Sequence, residues 1–325
     1  MKYTRKVQGI GSSLLVSLPK QWANKHGIRR GSILFIEILD DDTIKIYPTT
    51  SKAKESREVT ISYPLPYYEN IVDKITGAYL LGYDVIRVKS SRAITYEERE
   101  MIKDAIERLV SLEIVDEDAI NIVAQFLLDT TTLEPEKILY RMNAIVSGMY
   151  RDVIIALENR DKAILKTIAR RDDEVDRQYF LLVRLLRSAL RDRLTESMGL
   201  SSIEVLDYRI AAHLLENAGD SVVELARSID AVNLGLYSNN DNYSTLIKIA
   251  KSIDAIQDLS VKTFISKNRS GSLEVISRYK RLVEQVNSFK PNLDVNMLNI
   301  LYLIDKFSRI WIDIADLVIP LEEKE

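Results

Sequence analysis

Asp172 and Asp176, within the run Asp172-Asp173-Glu174-Val175-Asp176, and Glu216 with Asp220 are the residues whose types and spacing point most directly to chemistry. Members of each pair lie one helical turn apart and share a face. The series Leu165, Ile168, Asp172, Val175, Tyr179, Leu182, Leu186 alternates by three and four, so Asp172 takes a core-facing position with Asp176 on its flank. Glu216 and Asp220 each follow a position of a second seam, Ala212, Leu215, Gly219, Val222, Ala226, Ile229. Its small members Ala212, Gly219 and Ala226 admit a close neighbour, so four carboxylates from two helices can converge. Ionised carboxylates beside apolar seams are costly unless neutralised. A bound cation neutralises them, and so do arginines from a neighbouring helix. The ion expected is a divalent or trivalent metal, iron, manganese, magnesium or zinc, and oxygen-only ligation favours the hard cations, calcium among them, over a structural zinc.

Spacing alone carries no weight, because 48 acids among 325 residues yield about seven such pairs by chance. Asp254 and Asp258 are one of these and read as a solvated face. Placement on or beside apolar seams separates the other two pairs from that background.

Other chemistries lack their residues. The chain has no cysteine and two histidines, which excludes disulfides, thiolate zinc sites and cysteine nucleophiles. Ferritin-like di-iron catalysts need Glu-x-x-His on two helices, whereas His213 precedes Glu216 here and stands alone in its half of the chain. His213 therefore reads as a satisfied histidine. Nucleophile elbows, phosphate-cradling glycine loops and helical zinc-protease motifs are absent. The chain reads as a regulator, not an enzyme; a carboxylate-bridged metalloenzyme would further require an open coordination position.

A second constellation lies at the N-terminus. Residues 1–50 hold eight Lys or Arg against four acids, a net +4, while the whole chain is −3. Lys2, Arg5, Lys6 and Lys20 with Ser12 and Ser13 supply the cations and small hydroxyls that phosphate contacts use, so these six are the candidate DNA contacts. A solvated edge strand is the plainer account. Trp22 reads as a core anchor.

The elements that must position these residues follow from periodicity. In residues 1–50 short β-prone runs (Tyr3 to Ile10, Ser13 to Leu18, Ile33 to Leu39, Ile44 to Tyr47) flank one short helix after Pro19, closed by Gly27. Four short strands enclose too little core for a monomer, so a homodimer is expected. Residues 51–56 read as a linker. A small α/β module over 57–130 follows, with strands at Glu58 to Ser62 and Asp84 to Val88, helices at Tyr67 to Leu81 and Tyr96 to Val110, and a last strand within Glu113 to Phe126. It serves as a spacer or a dimerisation module. Residues 134–325 read as six amphipathic helices in two triplets, because Leu214-Leu215-Glu216 with Asp220 superposes at an offset of 89 on Leu303-Ile304-Asp305 with Arg309. Arg309 replaces the second acid, so one cation site is expected, not two. Charges interrupt every long apolar stretch and no signal segment is seen, which points to a cytoplasmic chain without membrane insertion.

Two resemblances attach to these motifs. Residues 1–50 resemble the AbrB/SpoVT-like swapped-hairpin β-barrels through Gly11-Ser12-Ser13, Leu18-Pro19-Lys20, Gly27-Ile28-Arg29-Arg30-Gly31 and the Asp-rich turn before Ile44. The helical part resembles the PhoU family of phosphate-uptake regulators, whose all-α bundles of two three-helix repeats carry metal-binding E(D)xxxD motifs; Asp172 with Asp176 and Glu216-Asn217-Ala218-Gly219-Asp220 match that motif. Asn217 and Ser221 stand where the family often has arginine and histidine. The combination is similar to archaeal PhoU-type regulators with a fused AbrB-like domain. The resemblance implies a barrel dimer that binds DNA and a helical domain that relays phosphate status, often through a phosphate-transporter ATPase subunit. Two functions follow as alternatives: a DNA-binding transcriptional regulator, or an adaptor that contacts a transporter and uses the barrel only to dimerise.

Overall fold

A computed structural model describes residues 3–38, 42–48, 56–192, 195, 198–237 and 241–318. The chain divides into two compact units, Met1–Ser56 and Arg57–Glu325.

In the first unit, β1 (Gln8–Ile10) and β2 (Ser13–Leu15) form an antiparallel hairpin with Ile10 opposite Ser13. The turn places Gly11 at φ 62, a conformation that favours glycine. Helix α1 (Lys20–Lys25) starts directly after Pro19, and Gly27 at φ 64 follows its end. Strands β3 (Leu34–Ile38) and β4 (Ile44–Pro48) form a second antiparallel pair, with Ile36 opposite Ile46. The swapped-hairpin barrel expected from the resemblance is not closed in this single chain: the described strands form two separate two-stranded sheets. No described residue of this unit is buried, and Leu14, Ile36 and Ile38 are 79%, 67% and 74% exposed. The first two strands are shorter than their sequence runs because each supplies the other with only three paired positions. Of the linker read at 51–56, residues 51–55 lie outside the described residues.

The second unit begins with β5 (Glu58–Tyr63), α2 (Ile71–Leu80), β6 (Val85–Ser90), α3 (Tyr96–Glu107), β7 (Leu112–Glu117) and β8 (Asn121–Phe126). Their sheet has the order β5-β6-β8-β7, with β5 and β6 parallel across α2 and the remaining pairs antiparallel. Where the sequence suggested one last strand there are two. Asp118 makes the hairpin, its carboxylate accepting from the amides of Ile120 (2.7 Å) and Asn121 (2.9 Å). Helix α2 starts later than its apolar pattern, because Asn70 caps it by accepting from the Val72 amide. Helix α3 opens on a capping box in which Thr95 accepts from the Glu98 amide (3.3 Å) and Glu98 accepts from the Thr95 amide (3.0 Å).

Six long helices follow: α4 (Pro135–Asn159), α5 (Ile168–Asp192), α6 (Ser202–Ala231), α7 (Asp241–Ile265), α8 (Arg269–Phe289) and α9 (Val295–Ala315). Apolar faces of these helices and of the sheet share one core. Arg184 of α5 joins the two layers. Its side chain is 1% exposed, donates to the carbonyls of Tyr79 (2.8 Å) and Tyr83 (2.9 Å), and lies 3.9 Å over the Phe126 ring. Among the described residues no helix is long and apolar enough to cross a membrane.

Candidate metal centre

Asp172 and Asp176 stand on the first half of α5, and Glu216 and Asp220 on the middle of α6, which packs along α5. Gly219 makes the approach possible. It is buried, and a Cβ there would collide with the Asp172 carboxylate while touching Val175. The small residue of the α6 seam thus makes room for the acid of the α5 seam. Asp172, Asp176 and Glu216 are half-buried and Asp220 is exposed, so the cluster opens to solvent on one side.

The structure brings all four acids into mutual electrostatic range. Burial pushes the Asp172 carboxyl up to about 7, and Asp176, Asp220, Glu216 and Asp173 push it the same way. Asp176 rises to about 6 through burial and then Glu216, Asp220 and Asp173, opposed by Arg108. Glu216 is raised by burial and Asp220, and His213 and Arg209 oppose the rise. Three carboxyls raised at one place describe a set of like charges whose burial and mutual repulsion outweigh the nearby cations Arg108 and Arg209 and the imidazole of His213. Asp173, which the helical spacing did not single out, belongs to this field. Its adjacency to Asp172 was the available signal.

Among the described residues no arginine forms an ion pair with these four acids, although Arg108 and Arg209 are close enough to oppose the rise of Asp176 and Glu216. Arg171 pairs with Asp152, while Arg141 (2.8 Å) and Arg177 (3.8 Å) reach Glu174. Among the described residues no cation or hydrogen-bond donor pairs with Asp172, Asp176 or Asp220; Glu216 has only His213, whose Nδ1 lies 3.3 Å away. The donor chemistry therefore fits a hard cation. The side chains would have to close in on it, since among the described residues no three His, Asp or Glu groups stand in a geometry that already holds an ion.

The other acids that spacing or the repeat singled out have partners. Asp305, 4% exposed on α9, accepts from Arg309 at 2.8 Å, so the second triplet holds an ion pair where the first holds carboxylates. Asp258 pairs with Lys262 at 2.7 Å on the surface. Asp254 is not the solvated residue expected from its spacing: it accepts from Arg151 (2.7 Å) and Ser147 (3.3 Å) and ties α7 to α4.

At the N-terminus, Lys2 lies outside the described residues. Arg5, Lys6, Ser12, Ser13 and Lys20 are all exposed. Arg5 lies 5.6 Å over the Tyr3 ring and donates to the Thr4 carbonyl, whereas Lys6 and Lys20 have no acidic partner among the described residues. Trp22 is half-buried against His26, with ring centroids 5.1 Å apart.

Comparison with known proteins follows the same division. Residues 139–229, which contain all four acids, match the PhoU domain model. Residues 7–54 match the model described as antidote-toxin recognition MazE, bacterial antitoxin. No curated protein matches. Among solved structures, the phosphate transport system regulatory protein PhoU from Streptococcus pneumoniae is similar at 14% identity and a TM-score of 0.47, covering 57% of this chain and 91% of that one. PhoU from Pseudomonas aeruginosa is similar at 14% identity and a TM-score of 0.39, covering 57% and 93%.

Proposed function

From a chain that carries a PhoU domain behind a MazE-type domain, we propose a cytoplasmic regulator of phosphate uptake that binds DNA as a homodimer and holds a metal ion in its helical half. The observation that carries the reading is that no described residue of the first unit is buried. Ile10, Leu14, Ile36, Ile38 and Ile44 are all more than half exposed, and strands from a second copy would cover them by completing a swapped-hairpin barrel. That barrel would carry Lys2, Arg5, Lys6, Ser12, Ser13 and Lys20 twice, on a segment of net +4, for phosphates on two half-sites.

In the helical half, Asp172 and Asp176 of α5 with Glu216 and Asp220 of α6 would hold the cation, which supplies neutralisation and a tie between the two helices. These residues position charge and need transfer no proton. The PhoU domain would then relay phosphate status to a partner such as a phosphate-transporter ATPase subunit. A second reading, an adaptor that contacts the transporter and uses the first unit only to dimerise, draws on the same exposed apolar side chains.

DNA binding separates the two. The full chain should shift DNA with an affinity that falls steeply as salt rises, and replacing Arg5 and Lys6 with alanine should weaken binding across sequences and flatten that dependence. No DNA shift by the full chain would favour the adaptor, and unchanged affinity and salt slope in the double variant would move the contact to another surface.

A further inference from the structure

Strand β5 is one edge of the four-stranded sheet, and it is built unlike the opposite edge. β7 carries Glu113, Asp116 and Glu117 and a break of register between Ile114 and Asp116. Charge and irregularity of this kind keep a further strand from adding. β5 has no such guard. It runs in unbroken register with β6 from Glu58 opposite Val85 to Tyr63 opposite Ser90, and its one charge, Glu58, is held by Arg87 at 2.9 Å. Among the described residues no strand pairs with its outer side.

A groove of about 590 Å³ runs between β5 and α2, walled by Val59, Ile61, Leu65, Ala78 and Leu81. Leu81 on its rim is 55% exposed. Gly77 lines the same groove within α2, where glycine weakens a helix. A Cβ at Gly77 would meet nothing within 4 Å, so nothing among the described residues requires a glycine there. Close approach by a helix from outside would require it.

We propose that β5 and this groove form an interface between two copies of the chain, their β5 strands pairing antiparallel about Thr60. Polarity alternates symmetrically along Glu58-Val59-Thr60-Ile61-Ser62. With Thr60 opposite Thr60, Val59 meets the second copy's Ile61 on the groove side, and Glu58 meets Ser62 rather than another acid. The rim carries Glu69, Asp73 and Lys74, and Lys74 holds Glu69 at 2.9 Å, so the charge each copy brings to the seam is small. An added peptide strand would use the edge but leave Gly77 unexplained; the second copy's α2 uses both. The inference rests on the proposed N-terminal dimer only for keeping a second copy at hand.

Because the chain has no cysteine, one substitution gives one thiol. Thr60→Cys in the full chain, treated at micromolar concentration with mild oxidant or a short thiol crosslinker, should give a covalent dimer, while Val115→Cys on β7 should stay monomeric on a denaturing gel. Adding Gly77→Leu to Thr60→Cys should cut crosslinking at least tenfold with no fall in melting temperature. No crosslink through Thr60→Cys, equal crosslinking through Val115→Cys, or crosslinking indifferent to Gly77→Leu overturns the proposal. Leu14→Cys, run alongside, reports the N-terminal dimer separately, so either interface can fail without the other.

Discussion

The two helical triplets answer the same electrostatic problem in opposite ways. On α9, Asp305 is 4% exposed and its carboxylate is satisfied within the helix by Arg309 one turn on. On α6, 89 positions earlier, Glu216 is followed one turn on by Asp220, a second acid, and faces Asp172 and Asp176 across α5. One triplet pairs its acid within the helix; the other accumulates carboxylates that no ion pair with Lys or Arg satisfies among the described residues. A single position, acid or arginine, decides between a structural ion pair and a candidate cation site.

The largest test of that contrast is Asp220→Arg, which copies Arg309 into the first triplet. Metal content of protein loaded with iron, manganese or magnesium should drop from bound to none. The rise in melting temperature on adding metal should vanish with it, a rise worth about 2.7 kcal/mol at a hundredfold excess over Kd. The variant should remain folded, since arginine supplies positive charge in place. Equal metal content in wild type and variant would break the comparison.

Removing the internal counter-charge tests the other side. Arg309→Ala leaves Asp305 buried and unpaired, and urea unfolding should show a loss of about 1–2 kcal/mol, moderated because Arg309 is itself largely exposed. Asp305→Asn combined with Arg309→Ala should recover most of it. If the double variant is no better than the single one, the pair is not what holds Asp305.

A smaller effect is expected in pH dependence. Asp172 (about 7) and Asp176 (about 6) have folded-state values above the ordinary carboxyl value of 3.8, so the folded chain binds more protons than the unfolded one. Their contribution to stability is therefore fully present below about pH 4 and is lost as pH rises to about 7. Melting temperature measured in chelator should fall over that window less steeply in Asp172→Asn than in wild type. A saturating cation should flatten the wild-type curve, because the bound carboxylates are ionised throughout. The same fall in variant and wild type would mean the acids do not interact.

The smallest effect belongs to Asp258→Ala. It removes an exposed pair with Lys262 and should leave both melting temperature and metal content unchanged.

Legibility followed range along the chain. Pro19 and Gly27 announced the bounds of α1, because caps and turns are made by neighbours. The β7–β8 hairpin was missed although its signal, Asp118, is local: Asp118-Ala119-Ile120 lacks the glycine that usually marks a tight turn. Asp254 was misread because its partner Arg151 lies 103 positions away. In the first unit, four short runs were visible, but a single chain leaves their apolar faces exposed.

The amino-acid order by itself determined which face of each long helix is apolar and that Asp172, Asp176, Glu216 and Asp220 sit on or beside those faces, since a period near 3.6 is a property of consecutive residues. It also determined that Arg309 replaces an acid. Only the tertiary structure decided that Asp172 packs over Gly219, and that Arg171, Arg141 and Arg177 turn to Asp152 and Glu174 instead of to the cluster. Those choices depend on how far α5 is rotated and shifted against α4 and α6. A change of one position in that register would exchange the partners while leaving every apolar period intact.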